Sequence, residues 1–589
     1  MAEQGQEGIG NLLYYGDNLD VMRRHIKDES VDLVYLDPPF NSDQNYNILF
    51  KEQNGSRAAS QIRAFEDTWT WNQESESIFA ELVTAGGRVS DCLRALRTFL
   101  GECDLMAYLV MMAPRLEELR RVMKSTASIY LHCDPTASHY LKMLMDAVFL
   151  PQNFRSEIIW RRTGSHNSAK RFGPIHDVIL FYTKAGNYYF KRFFRPYLKG
   201  HVEGYFKQSD ERGCYWTNAL TGAGTRNGES GQPWKRYDPT RNGRHWAVPG
   251  RVVTELGIDE TLSVQEKLDA IDEAGFVVHP GDSSEAMPTY RQYLETSPGM
   301  PISDLWTYQP HTRGVLHGTE EGIDEDVRWL VMQGDPERLG YPTQKPTGLL
   351  ERIMRSSCPE GGTVFDPFCG CGTTIAAAQK LGRPWIGIDI THLAINLIKN
   401  RLKDSYGESA AFKVIGEPVS AADAERLAES DPYQFQWWAL GLVGARPADQ
   451  KKGSDKGIDG RIVFQGDERG SFETIIISVK AGHVTSNHVR DLKGVLDREK
   501  AAIGVLISMQ EPTAPMRTEA ITTGFYEPGT WGQKHEKWGQ KYPKIQLLTV
   551  AALLSGKKIE MPPMRQVGAT FKKAPKVTKQ QGEQLELTK

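Results

Sequence analysis

The sequence predicts an open α/β fold whose sheet is interrupted by a long insertion and followed by a second, smaller α/β unit. Three observations carry that expectation. Short apolar runs alternate with helix-period segments between residues 31 and 184, the pattern of a parallel sheet. The rhythm breaks over 185–340, which is rich in Gly, Pro, Arg and aromatics, and resumes at 341. Two of the runs end in abrupt turns, Asp37-Pro38-Pro39-Phe40 and Cys369-Gly370-Cys371-Gly372. Open α/β sheets place ligands outside such carboxyl ends.

Taken in order, residues 11–40 read as helix signals leading into a strand, VDLVYL at 31–36, whose continuous apolar, β-branched character suits burial on both faces. Pro38 and Pro39 forbid its continuation and make the following turn rigid. Residues 41–75 are polar and irregular and read as a loop. A helix is expected over 104–123, a strand at 128–132, a helix over 137–149 and a strand at 177–184. After the insertion come a strand at 363–368, a small-residue helix at 373–381, a strand at 384–389 and a helix from about 391 to 403. Residues 405–430 read as a connector. A new pattern runs from 431 to about 560, and the polar tail at 565–589 is expected to be disordered.

Composition narrows the class of protein without choosing a function. The chain has 589 residues, 40% hydrophobic and 25% charged, which is ordinary for a globular protein of several domains. No apolar run reaches membrane-spanning length and the start carries no signal peptide, so a cytoplasmic protein is expected, with no membrane partner. Seven cysteines without zinc-like spacing read as reduced thiols. The net charge of −3 gives no global sign of nucleic acid, so any such surface must be a local patch.

The strand, glycine turn and helix start at 363–374 let a ligand approach the backbone closely. About twenty residues on, Asp389 ends the next strand, where an acidic residue accepts hydrogen bonds from ribose hydroxyls. Alone, that pattern fits any nucleotide-type ligand, or a tight structural turn. The longer strings Tyr341-Pro342-Thr343-Gln344-Lys345-Pro346 and DPFCGCGTT (366–374) resemble the DNA amino-methyltransferase family. The resemblance implies a Rossmann-like fold and an S-adenosylmethionine pocket formed by Lys345, Asp366, Phe368, Gly370, Gly372 and Thr373. It also puts Asp389 on the ribose and Asp17, in YYGDNLDVM (14–22), near the cofactor's adenine.

An exocyclic amine on a base is a poor nucleophile, because its lone pair is delocalised into the ring. A preorganised carboxylate and a backbone carbonyl, each accepting one N–H, favour the tetrahedral geometry that attack requires. Asp37 and Pro38 offer these acceptors, Pro39 offers rigidity, and Phe40 an aromatic face for a base swung out of its stack. An isolated Asp-Pro-Pro would be merely a turn. Here it shares a chain with the cofactor strings and resembles the family's catalytic tetrapeptide, whose Asp is typical of adenine methylases and whose Ser is commoner in cytosine-amino methylases. The catalytic string precedes Asp366 by more than three hundred residues. That order resembles the circularly permuted β class and implies N6-adenine methylation of double-stranded DNA, with N4-cytosine as the alternative. The domains expected are a catalytic part at 11–184, a target recognition insertion at 185–340 and a cofactor-binding part at 341–405.

Residues 160–200 concentrate cations and aromatics, and Arg161, Arg162, Lys191, Arg192 and Arg195 are candidate phosphate contacts, a solvated basic face being the alternative. Trp216, Trp234, Arg244 and Trp246 extend the candidate DNA-reading segment. Farther on, Asp459 and Lys480 end segments that could meet at the rim of a small sheet. Residues 431–556 resemble the Mrr-type restriction endonuclease fold, an α/β nuclease-like domain, except that Ser478 stands where a carboxylate is usual. A hydroxyl is a poorer magnesium ligand. Magnesium is therefore expected, if anywhere, only here, through Asp459. The readings open are a separately folded DNA-binding module that does not cleave and a bifunctional restriction–modification enzyme. A restriction subunit or a second copy would be the protein partner.

Overall fold

The computed structural model describes residues 10–39, 71–164, 172–281, 286–331, 334–339, 341, 343–448, 457–465, 472–528 and 541–562. Strands β1 (Leu12–Tyr15), β2 (Val31–Leu36), β3 (Met123–Cys133), β4 (Phe154–Arg161), β5 (His176–Thr183), β6 (Leu305–Trp306), β7 (Val364–Asp366), β8 (Trp385–Asp389) and β9 (Lys413–Ile415) form one nine-stranded sheet. Their order is β6-β4-β5-β3-β2-β7-β8-β1-β9. Every residue of β2 is buried, as its unbroken apolar run requires. Side chains alternate between two cores: Val34 and Leu36 face one, Leu33 and Tyr35 the other. Helices α1 (Asn18–His25), α2 (Asp104–Val122) and α3 (Ser138–Phe149) cover the first face. Helices α4 (Thr347–Ser357), α5 (Thr373–Lys380) and α6 (His392–Tyr406) cover the second.

The sheet corrects the expectation of all-parallel strands. β5 runs antiparallel to both β3 and β4. Arg161 at the end of β4 pairs with His176 at the start of β5, so the chain doubles back as a hairpin instead of crossing over. Three further elements differ from the sequence reading. Residues 12–15 form a strand before α1, because Leu12 to Tyr15 finds a parallel slot between β8 and β9. Helices Gln73–Ala85 and Gly87–Leu100 occupy a stretch whose beginning reads as loop. The expected connector at 405–430 contributes β9 and helix α7 (Ala421–Ser430), which is opened by a Ser420–Asp423 capping box.

The insertion carries its own antiparallel sheet, in which Gly213–Ala219 pairs with Thr289–Tyr293. It also has its own core, including Trp234, Trp246, Leu268 and Phe276. It is tied back to the main body by β6, which joins the edge of the large sheet. A second tie is the buried Arg352 of α4, which donates to Asp326 and Asp324.

The C-terminal unit begins with α8 (Pro432–Leu442), which lies against α6 and α7. Its sheet joins β10 (Arg446–Pro447), β11 (Gly460–Gln465), β12 (Phe472–Lys480), β13 (Ile503–Ser508) and β14 (Ile545–Thr549) in that order. The first three are antiparallel and the last three parallel. Helix α9 (Ser486–Glu499) covers one face through Val489, Leu492 and Leu496. The tail at 565–589 lies outside the described residues.

Candidate active site

Adjacent strands β2, β7 and β8 bring Asp37, Asp366 and Asp389 to one end of the sheet. Between the last two, the chain turns through Gly370 and Gly372, at φ +48° and +72°. Both angles are left-handed, where only glycine sits without strain. A Cβ at Gly372 would stand 2.6 Å from Ile398 Cγ1 of α6, whereas one at Gly370 would stand 3.4 Å from Tyr341 Cε1. The Asp389 carboxylate fastens the turn, accepting the Gly370 amide at 2.9 Å and, through its other oxygen, the Thr391 amide and hydroxyl at 2.9 Å each. Burial pushes the Asp389 carboxyl up to about 6, against the hydrogen bonds from Thr391 and Gly370. Burial pushes the Asp366 carboxyl up to about 7, against hydrogen bonds from Thr374 and the Phe368 amide and helped by the charges of Asp37 and Asp389. Phe368 packs its ring against the core. None of the seven cysteines is in a disulfide.

Asp17 caps α1, accepting the Leu19 and Asp20 amides. Arg115 of α2 reaches across to Asp17 at 2.8 Å and to Asn18 at 2.6 Å, while Asn18 donates to the Pro367 carbonyl at 2.9 Å. Arg401, buried on α6, donates to the Cys371 carbonyl at 3.1 Å and to the Thr373 hydroxyl at 3.2 Å. Asn18, Arg115 and Arg401 hold the turns in place, and the sequence reading passed over all three. An arginine on a helix about thirty (Arg401) or nearly one hundred (Arg115) residues from the string it serves carries no local signal. Asn18, directly beside Asp17, was the one within reach.

The Asp-Pro-Pro turn and the 341–346 string meet at an ion pair. Lys345 Nζ lies 2.5 Å from Asp37 Oδ2, with both side chains mostly shielded from solvent. The Lys345 carbonyl accepts the Thr373 hydroxyl at 3.2 Å, which ties the pair to the start of α5. Pro38 is buried and Pro39 half-buried; Phe40 lies outside the described residues. Beneath Asp37 runs a buried polar chain that sequence reading did not find. Burial, with the charges of Asp37, Asp366 and Asp177, keeps the Tyr35 phenol neutral. Its hydroxyl meets His132 Nδ1 at 2.8 Å, and His132 Nε2 meets Asp177 Oδ2 at 3.1 Å. The Asp177 carboxylate can only accept, which makes Nε2–H the donor to it and, in the neutral tautomer, leaves Nδ1 to accept the Tyr35 hydroxyl. Burial would raise the Asp177 carboxyl, but the His132 hydrogen bond and the Lys345 and Arg162 charges hold it below the usual carboxylate range. Arg162 Nε lies 3.2 Å from Asp177 Oδ1 and carries the chain to the surface.

In the C-terminal unit, Asp459, Ser478 and Lys480 converge as expected, but as a cluster bonded within itself. Asp459 accepts Gln436 Nε2 at 3.1 Å, the Ser478 hydroxyl at 3.2 Å and the Val479 amide at 2.6 Å, with Lys480 Nζ 3.8 Å away. No group of three or more His, Cys, Asp or Glu suited to a metal ion occurs among the described residues. The magnesium site expected at Asp459 is therefore unsupported.

Residues 31–400 match the profile of the N6/N4 methyltransferase family described as DNA methylase, which is more than half of the chain. The chain belongs to this DNA methylase family. The family is S-adenosylmethionine-dependent. The methylase is 26% identical over 405 residues to the type II methyltransferase M.EcaI of Enterobacter cloacae, covering 68% of this chain and 71% of that one. It is 26% identical over 385 residues to the Mod subunit of the type III restriction-modification enzyme StyLTI of Salmonella typhimurium, covering 63% of this chain and 50% of that subunit. Among solved structures, the cytosine-N4-specific PvuII DNA methyltransferase is similar over 66% of this chain and 85% of its own, at 11% identity and a TM-score of 0.30. Residues 433–555 match a second family, described as NACHT-associated inactive Restriction Endonuclease 1, so the methylase carries an appended restriction-endonuclease-like domain.

The methylase's candidate DNA contacts divide between the two ends of the sheet. Arg161 and Arg162 follow β4 at the end that holds Asp37. Arg162 is exposed, and Arg161 stacks over Trp329 at 5.1 Å. Lys191 and Arg192 are exposed at the opposite end, where the Lys191 amide donates to Ser356 at the close of α4 and neighbouring backbone meets the start of β3. Arg195 turns inward to the buried Asp324 at 3.2 Å. The structure thus does not bring Lys191, Arg192 and Arg195 to the site. Trp234 and Trp246 are interior, 3% and 2% exposed, and belong to the insertion's core. No described helix is long and apolar enough to cross a membrane.

Proposed function

We propose that this methylase transfers a methyl group from S-adenosylmethionine to the N6 amino group of adenine in double-stranded DNA. Asp37, Pro38, Pro39 and Phe40 form the reacting end; Asp17, Lys345, Asp366, Phe368, Gly370, Gly372, Thr373 and Asp389 surround the cofactor. The observation that carries the reading is the Lys345–Asp37 pair, which joins the two strings across 308 positions of sequence. The residues present fit the cofactor. The glycine turn leaves backbone uncovered by any Cβ, and Asp17 and Asp389 offer carboxylate oxygens to hydroxyl and amino donors. When bound, the cofactor supplies a sulfonium-activated methyl carbon open to attack.

Lys345 orients the Asp37 carboxylate by holding one of its oxygens. Asp37 and the Pro38 carbonyl then accept the two N–H bonds of a target amine and draw its lone pair out of conjugation. Phe40 stacks on the extruded base. Arg161 and Arg162 are the basic groups placed to meet phosphate beside the site. The appended domain is read as a DNA-binding module that does not cleave, because Ser478 stands where a carboxylate is usual and a hydroxyl is a poorer magnesium ligand; the match to a family described as an inactive restriction endonuclease supports this. The likeness to a type III Mod subunit supports a restriction subunit as partner. Nucleoside mass spectrometry of DNA from cells expressing the protein is expected to show N6-methyladenine. N4-methylcytosine, or methylation of RNA alone, would overturn the reading.

A further inference from the structure

We infer that the restriction-endonuclease-like domain completes the methylase's cofactor site, with Gln434 as the positioning residue that fixes the start of α6 beside Asp389. The inference rests on the reading of Asp389 as a cofactor ligand. The first N–H groups of a helix have no acceptor within the helix. In α6, Thr391 caps the Ala394 amide at 3.2 Å with its hydroxyl, and that hydroxyl and the Thr391 amide also donate to Asp389. The next orphan donor, the His392 amide, is satisfied from the other domain: Gln434 Oε1 of α8 accepts it at 3.0 Å. His392 is wholly buried, so water cannot replace Gln434 without a rearrangement. On its other side the His392 ring stacks on Tyr15 at 3.7 Å, and Tyr15 pairs with Asp389 across β1 and β8.

The first turn of α6 is thus clamped between the strand that precedes Asp17 and the first helix of the appended domain. One turn on, Asn396 donates to the Trp437 carbonyl at 3.1 Å. The Asn396 side chain lies directly over Gly441 there, where a Cβ would stand 2.2 Å from Asn396 Nδ2. The path from Asp389 through Thr391 and His392 to Gln434 contains no residue of the recognition insertion and none of the catalytic turn. A change at Gln434 therefore reaches cofactor binding without touching the catalytic turn or the recognition insertion.

The test uses the full-length protein, with S-adenosylmethionine affinity measured by calorimetry, DNA affinity by a filter assay and kcat and KM by methyl incorporation. Gln434→Ala is expected to raise the cofactor Kd and KM about 2- to 10-fold, the part of the cost of orphaning one buried amide that reaches the pocket, with kcat little changed. Gly441→Val, which displaces the Asn396 amide from the Trp437 carbonyl, should shift the cofactor Kd in the same direction. Because the coupling is reciprocal, adding cofactor to the wild-type protein should slow hydrogen exchange in 432–442, a measurement that needs no variant. Asp389→Ala is run alongside. If it leaves cofactor affinity unchanged, the pocket reading falls and this inference with it. If it weakens binding while Gln434→Ala and Gly441→Val stay within about 1.5-fold of wild type and exchange in α8 is unaffected by cofactor, the inference alone is overturned.

Discussion

Gly372→Ala should damage the cofactor turn far more than Gly370→Ala, although both glycines sit in the same string. At φ +72° an alanine costs about 1–2 kcal/mol in backbone strain. Its Cβ would stand 2.6 Å from Ile398 Cγ1, well inside contact, and repacking a fully buried side chain adds about 1–3 kcal/mol. The sum is about 2–5 kcal/mol, concentrated at the first turn of α5. At Gly370 the backbone term is similar, but the nearest atom is the edge of the Tyr341 ring at 3.4 Å, which a small tilt accommodates, so the total stays near 1–2 kcal/mol. Native-state hydrogen exchange of a peptide spanning 366–381 reads the local opening free energy directly. Removing the obstructing atom in a Gly372→Ala, Ile398→Ala double variant should show a favourable coupling of about 1–3 kcal/mol in the mutant cycle. Equal losses for the two single variants, or no coupling, would refute the reasoning.

Acidity should oppose cofactor binding. Asp366 and Asp389, raised to about 7 and about 6, hold protons in the folded protein that the unfolded chain has released by about pH 4. Their favourable contribution to folding is present below that value and is lost as pH rises through 6 and 7. A cofactor that hydrogen-bonds to the Asp389 carboxylate must expel its proton, so calorimetry at pH 6 should show buffer-dependent proton release and a Kd that rises as pH falls; buffer-independent heats would contradict this. Tyr35→Phe leaves His132 Nδ1 without its partner in the core and should cost about 1–3 kcal/mol by chemical denaturation, a loss below about 0.3 kcal/mol counting against a buried Tyr35–His132 hydrogen bond. Arg162→Ala should lower the salt slope of DNA binding by about one counterion, while Lys191→Ala with Arg192→Ala should leave it nearly unchanged; the reverse pattern would return the DNA face to the far end of the sheet. With plasmid and magnesium or manganese, wild-type protein and Lys480→Ala should be equally unable to cut, and cleavage lost in Lys480→Ala would show a working nuclease.

The strands and turns that make the site were legible where local sequence specifies them. VDLVYL ended at the expected turn because two prolines permit nothing else, and the glycine turn formed because its angles demand glycine. β1 and β9 were missed because three or four residues carry too little periodicity; a vacant parallel edge recruits them. The antiparallel course of β5 is a property of the hairpin's path, which its apolar content does not record. The basic cluster is divided for the same reason: Arg161 and Lys191 are near in sequence but flank a strand that carries the chain from one end of the sheet to the other. Trp234 and Trp246, read as a DNA-facing set, serve the insertion's own core, since composition cannot separate a stacking platform from a small domain's interior. Gln434 was invisible because its partner is a backbone amide in another domain.

The central claim is that Asp37 performs the chemistry while the glycine turn and Asp389 bind the cofactor. Asp37→Ala in the full-length protein separates the two roles. Labelled methyl incorporation into DNA and cofactor affinity are measured on the same preparation. The account predicts that incorporation falls to background while cofactor affinity stays within about threefold of wild type, because the acceptor for the target amine is gone while the glycine turn and Asp389 keep their contacts and only Lys345 loses a partner. Substantial methylation of DNA by Asp37→Ala would contradict it.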